Sequence, residues 1–432
     1  MQLRVVAVAV IAAVSIVALG RGIAGQLDQR AFVGSPDHPA IEYATRPTRD
    51  PVATLNRMID AGDVQLQWET RGGYLRSVLA ALEVPIESQI VAFAKNSLQS
   101  ARITPQNPRT LFFNDSVAVG SVQGGFIELA AVDPQQGVVF YTLQSGVLGL
   151  GTPRFVRETR CLQCHESYST LSVPGMLVKS ALPSREGMPM FQFGNYLPDH
   201  RTRLEERWGG WYVTGGDQSV RHLGNAILVD PFEPPSPDPA VMPRVQPVRL
   251  NLDPSAYLSP YSDIAALMVF DHQMRMTNLL TRVGWEFRVA ASQHTNGNET
   301  AASLHAMTNE LVDYLLFVDE APLPSRIAGT SGFVARFSQS GPRDGKGRSL
   351  RQLDLQKRLL RYPCSYMIYT SAFDGLPALA REAIYTRMWE ILSGADRSKQ
   401  YARLSLIDRQ TVVEILRETK TGLPGYFQQV VR

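Results

Sequence analysis

The chain has 432 residues, 44% of them hydrophobic and 19% charged, with a formal net charge of +3. This is ordinary composition for a well-packed protein, and the length suits two or three domains. The small charge, with no long basic block carrying interleaved aromatics, argues against nucleic acid as a partner.

Arg4 precedes an apolar run from Val5 to Leu19, followed by Gly20, Ala24 and Gly25, which is the layout of a secretory signal. The run falls short of the roughly 20 apolar residues that span a bilayer. Residues 1–25 are therefore expected to be a signal peptide, with an uncleaved anchor as the alternative, and the protein to be periplasmic or otherwise exported. Helical patterns then cover Asp50 to Ala61 and Gly73 to Leu82. Short apolar or alternating runs follow at Thr110 to Asn114, Val117 to Val122, Gly125 to Ala131 and Gly137 to Leu143, split by Asn-Asp, Gly-Gly and Asp-Pro turns. They read as an antiparallel sheet. Further strands are expected at Gly175 to Lys179, Gly210 to Val213 and Asn225 to Asp230.

Nine prolines between Pro231 and Pro260 mark residues 231–262 as a linker or surface strap. Beyond it, apolar positions three and four apart predict helices over Asp263 to Ser292, Thr300 to Val318, Leu350 to Arg361, Pro377 to Ser393 and Asp408 to Lys420, the last capped by Asp408. The expected fold class is α+β, with a mixed domain at 40–230 and a mainly helical domain at 263–432.

The strongest chemical signal is Cys161-Leu162-Gln163-Cys164-His165, in a chain with only three cysteines and seven histidines. On one helical turn Cys161, Cys164 and His165 fall at i, i+3 and i+4, so two thiols and an imidazole leave the same side. That spacing is the attachment pattern of haem c: both thiols join the porphyrin vinyl groups and the histidine gives iron its proximal nitrogen. Three other chemistries use the same residues. Cys364 would complete a Cys3His zinc shell, the two motif cysteines alone would make a redox dithiol, and a simple disulfide is the third. Export favours covalent haem over free thiols.

Over these five residues the chain resembles the c-type cytochromes, and the resemblance implies one covalent haem c, bound to iron in a metal-binding, electron-transfer protein. The rest departs from the small all-helical members, and no second CxxCH is present, so the di-haem peroxidase pattern is missing. A looser similarity is to haem-bearing sensor domains of PAS-like shape, in which strands precede a CxxCH and Gly-rich strands close the sheet after it.

A haem iron has a sixth position, and its occupant separates electron transfer from ligand binding and catalysis. His222 and His200 are the leading candidates, ahead of Met188 and Met190, and a stripe of Met268, His272 and Met276 offers a ligand from the helical half. Arg207-Trp208-Gly209-Gly210-Trp211-Tyr212 suggests aromatic walls in Trp208 and Trp211, with Arg207 or Arg221 pairing a propionate. The expected function is electron transfer with a redox partner protein or a membrane respiratory chain. The alternatives are a haem c sensor or small-ligand binder, and an oxidoreductase of peroxidase type.

Overall fold

Alternating apolar positions between residues 90 and 157 build a seven-stranded antiparallel sheet from β1 (Ile90–Ala92), β2 (Arg109–Phe113), β3 (Val117–Ser121), β4 (Glu128–Asp133), β5 (Gly137–Gln144), β6 (Arg154–Arg157) and the later β7 (Trp211–Tyr212). Its order is β6-β5-β4-β3-β2-β1-β7. The computed structural model describes residues 32, 34–144, 152–216, 220–236, 242–293 and 298–431, so the apolar run of residues 5–19 lies outside the described residues. Among the described residues no helix is long and apolar enough to cross a membrane.

Turn chemistry sets the register. Between β2 and β3 the Asn114 side-chain carbonyl accepts from the amides of Ser116 and Val117 at 3.0 and 2.9 Å. Between β4 and β5 an Asp133 carboxylate oxygen accepts from those of Gln135 and Gln136 at 2.8 and 2.9 Å. These side chains replace backbone partners at the bend, which is why Asn and Asp favour such positions. Gly137 then starts β5 at φ 84°, a conformation that other residues resist.

One face of the sheet buries Phe112, Val119, Leu129, Val139 and Tyr141 against α1 (Pro51–Ala61) and α2 (Leu75–Ala81). Asp50 joins these layers. One carboxylate oxygen caps α1 by accepting from the amides of Val52 and Ala53, and the other accepts from Tyr141 Oη at 2.7 Å.

The opposite face carries Leu111, Phe113, Val138 and Phe140 into a core shared with the C-terminal half. There α4 (Ile264–Gln293) is buried along most of its 30 residues and packs Phe270 at a tilt against Phe113, ring centres 4.8 Å apart. Around it lie α5 (Asn298–Leu315), α6 (Phe333–Gln339), α7 (Ser371–Asp374), α8 (Ala378–Ser393) and α9 (Leu406–Thr419). One apolar cluster runs through sheet and helices alike, so the two halves are packed together rather than strung on the proline-rich segment. That segment crosses as a strap: β9 (Val245–Pro247) pairs with β8 (Ala226–Leu228), and Gln89 Nε2 donates to the carbonyls of Ser259 and Tyr261.

Three expectations are corrected. Leu350 to Arg361 is a turn and not a helix, because an Asp354 carboxylate oxygen captures the amides of Gln356 and Lys357 and the chain doubles back to bridge Leu353 with Leu360. Gly175 to Lys179 forms no strand: Met176 gives both backbone groups to Asn278 of α4, and Gly175 gives its amide to the His165 carbonyl. The cap of α9 is Ser405, whose Oγ accepts from the Asp408 amide.

Replacing Asp50 by Ala removes the cap and the Tyr141 bond together. The expected loss is about 2–3 kcal/mol, read as a lower urea midpoint at unchanged slope.

Candidate functional site

The chain reaches the motif from β6, with the Glu158 amide bonded to the Phe140 carbonyl. Glu158 caps a 3₁₀ turn at Thr159–Cys161, which runs into α3 (Leu162–His165). Leu162 pins this turn between the apolar clusters on both sides of the sheet. After it, Thr170 Oγ1 donates to the His165 carbonyl and Ser167 Oγ to that of Cys164. The helical reading of the motif therefore holds in the fold.

His165 is fixed twice. Its Nδ1 lies 2.8 Å from the Gly175 carbonyl oxygen, which can only accept, so Nδ1 carries the hydrogen and Nε2 keeps its lone pair. The ring packs against Phe140 at 4.8 Å. Burial holds the imidazole below its ordinary range, which keeps it neutral. Gly175 is itself held from two sides: its amide donates to the His165 carbonyl at 2.9 Å, while Asn278 of α4 clamps the neighbouring Met176. Asn278 Oδ1 accepts from the Met176 amide at 3.0 Å and Nδ2 donates to its carbonyl at 2.7 Å. A Cβ on Gly175 would sit 2.2 Å from Asn278 Oδ1, so this close approach requires glycine.

Cys161, Cys164 and His165 all line one cavity of about 510 Å³, within the range of pockets that hold cofactor-sized molecules, roughly 300–1,000 Å³. Its sheet wall is shallow because Ala92, Ala118, Gly120 and Ala130 stand where the rest of the sheet carries larger residues. Phe140, Trp211, Phe270 and Met176 add apolar surface, and four cations, Lys95, Arg109, Arg160 and Lys179, face a single carboxylate, Glu128. A flat apolar ligand bearing negative groups fits this lining. Cys161 and Cys164 are both free thiols; burial, reinforced by the Glu128 charge, pushes the Cys161 thiol up to about 12. It is therefore protonated and slow to oxidise. Cys364 is fully buried and is not among the residues that line the cavity.

Of the other residues singled out from the sequence, Trp211 lines the cavity and donates from Nε1 to the Lys179 carbonyl. The rest lie elsewhere. His200 is fully buried, its Nδ1 2.8 Å from His272 Nδ1 and its ring stacked on Tyr314 and Phe317. His222 sits edge-on to Trp208 at 5.6 Å. Trp208 Nε1 donates to Asp271, and Arg207 pairs with the same carboxylate while bonding the carbonyls of His200 and Thr202. Arg221 and Met188 are exposed, Met190 packs in a separate small cluster, and Met268 and Met276 belong to the shared core. None of His200, His222, Arg207 and Arg221 lines the cavity: His200 and Arg207 are held against α4, His222 packs on Trp208, and Arg221 is exposed.

Sequence reasoning missed Arg109 and Glu128, which form a 2.7 Å ion pair in the cavity, and the clamping role of Asn278. The signal was present in part: two charges and several small residues occupy the inward positions of otherwise apolar strands. No known protein family, no curated protein and no solved structure matches the chain.

Gly175→Ala is expected to cost about 1–3 kcal/mol through the forced contact with Asn278, measured by thermal or urea unfolding. Asp271, buried and only partly offset by Arg207, has its carboxyl raised to about 7. Its unfolded value is about 3.9, so between these limits the native chain holds the extra proton and this residue makes stability fall as pH rises. Asp271→Asn should remove that contribution, giving a stability profile that climbs more, or falls less, than wild type from pH 4 to 7. Equal slopes for the two proteins count against the assignment.

Proposed function

We propose that the chain is an exported mono-haem c redox protein, with haem attached through Cys161 and Cys164 and His165 as proximal iron ligand. The observation that carries this reading is the pairing of two free thiols with a histidine whose Nδ1 is committed to a carbonyl, all on one apolar cavity of cofactor size. Such a bond on the far nitrogen is the usual partner of a metal-ligating imidazole, because it fixes the tautomer and aims the ring. Each thioether forms by adding S–H across a vinyl double bond, sulfur to one carbon and hydrogen to the other, with no net oxidation. When bound, haem would supply a one-electron couple. Lys95 and Lys179 offer cations to its propionates, while Arg160 is already paired with Glu158.

Exposure of Cys164 supports electron exchange with a redox partner or a membrane respiratory chain, since the attached edge would lie near the surface. A second reading, small-ligand binding as in a haem c sensor, is favoured by one observation: among the described residues His165 is the sole histidine on the cavity, and Met176 the sole thioether. The antiparallel sheet forming one wall suits the PAS-like comparison.

The test is expression in a host that matures haem c. Pigment should remain on the denatured chain, shift in its reduced absorption band when either Cys161 or Cys164 is replaced by Ala, and be lost when both are. His165→Ala should keep the pigment and change its absorption spectrum, since the one imidazole on the cavity is gone. With a single imidazole available, reduced wild type should respond to carbon monoxide; indifference assigns two strong axial ligands and pure electron transfer. A colourless denatured chain after proper maturation rejects the proposal.

A further inference from the structure

Residues 174–176 have every backbone polar group bonded. The Pro174 carbonyl accepts from the Val138 amide of β5 at 3.1 Å, and the Gly175 amide donates to the His165 carbonyl at 2.9 Å. The Gly175 carbonyl takes His165 Nδ1, and both groups of Met176 go to Asn278. The sheet thus fixes one end of this segment and the motif its middle. The other end is held by one buried side chain of α4, with both of its amide atoms in use.

The Met176 N–H and the Gly175 carbonyl belong to the same peptide group. Resonance across that planar unit means that an acceptor on the N–H draws negative charge onto the carbonyl oxygen, and bonds in such a chain strengthen one another away from water. A continuous relay results, from Asn278 Oδ1 through the Met176 N–H and the Gly175 carbonyl to His165 Nδ1. A stronger bond on the far nitrogen makes an imidazole a better donor to a metal. We infer that Asn278 is a positioning residue that raises the ligand strength of His165 through the Gly175–Met176 peptide and so lowers the reduction potential of the tethered iron. This inference rests on the haem reading and names a regulator of the same site, one that lies in the C-terminal half.

The test has two readouts. In the full chain expressed without haem maturation, nitrogen NMR of His165 should find its hydrogen on Nδ1, and Asn278→Ala should move part of it to Nε2. In the matured protein, Asn278→Ala should shift the redox equilibrium about tenfold toward the reduced form, about 59 mV for a one-electron couple. Asn278→Asp keeps an acceptor for the Met176 amide in either protonation state, so its potential should return to the wild-type value or fall below it. Gln273→Ala is the control for loosened packing, because that α4 side chain bonds Asn114 and Tyr366 and not residues 174–176; it should melt lower with both readouts unchanged. An unmoved potential in Asn278→Ala, equal shifts in Gln273→Ala, or a raised potential in Asn278→Asp overturns the inference while the pigment stands; if the alanine variant does not fold, the aspartate variant decides by itself. Absence of covalent pigment overturns the haem reading and the effect on potential, and the NMR comparison then decides whether Asn278 acts on His165 at all.

Discussion

The hydrogen bond from His165 Nδ1 to the Gly175 carbonyl is the constraint on which the site depends. It decides which ring nitrogen carries the hydrogen, and so which one is left for chemistry. A carbonyl on a loop would be a poor anchor by itself. Here the loop is held by Asn278, whose amide bonds both backbone groups of Met176, and Asn278 stands on a helix buried along most of its length. Orientation of a single imidazole is thus inherited from the core of the C-terminal half, which gives those helices a reason to be fused to the sheet.

The cavity reflects a second balance, between packing and space. A sheet face covered by large apolar residues would close against α4, as it does where Phe113 meets Phe270. Ala92, Ala118, Gly120 and Ala130 prevent this locally, and forgoing that contact costs stability in proportion to the apolar area left uncovered. The Arg109–Glu128 pair adds a desolvation cost in the same place. Both costs fall on the residues around the motif, while the opposite sheet face and the helices are conventionally packed.

Much of the fold was legible because its rules are local. Alternation and turn residues marked β2 to β5, and 3.6-residue periodicity marked α4, α5, α8 and α9. The motif was legible for the same reason, since its geometry lies within a single turn. The failures share the opposite property. His200 and His222 looked free to reach inward on polar, turn-rich segments, but what occupies them is distant: His272 for one, Trp208 for the other, and Asp271 for the neighbouring Arg207. Leu350 to Arg361 has helical spacing, yet one aspartate side chain competes with the helix for its amides. The Arg109–Glu128 pair depends on strand order, which spacing along one strand does not reveal.

Met176 and its clamp Asn278 are 102 positions apart in the chain. The motif turn therefore cannot acquire its final rigidity while it is being synthesised; it waits for a helix made later. Until that helix docks, the carbonyl that orients His165 lacks its anchor, and afterwards the same segment is locked. The order of assembly is written into the covalent sequence: the turn forms first and is fastened second.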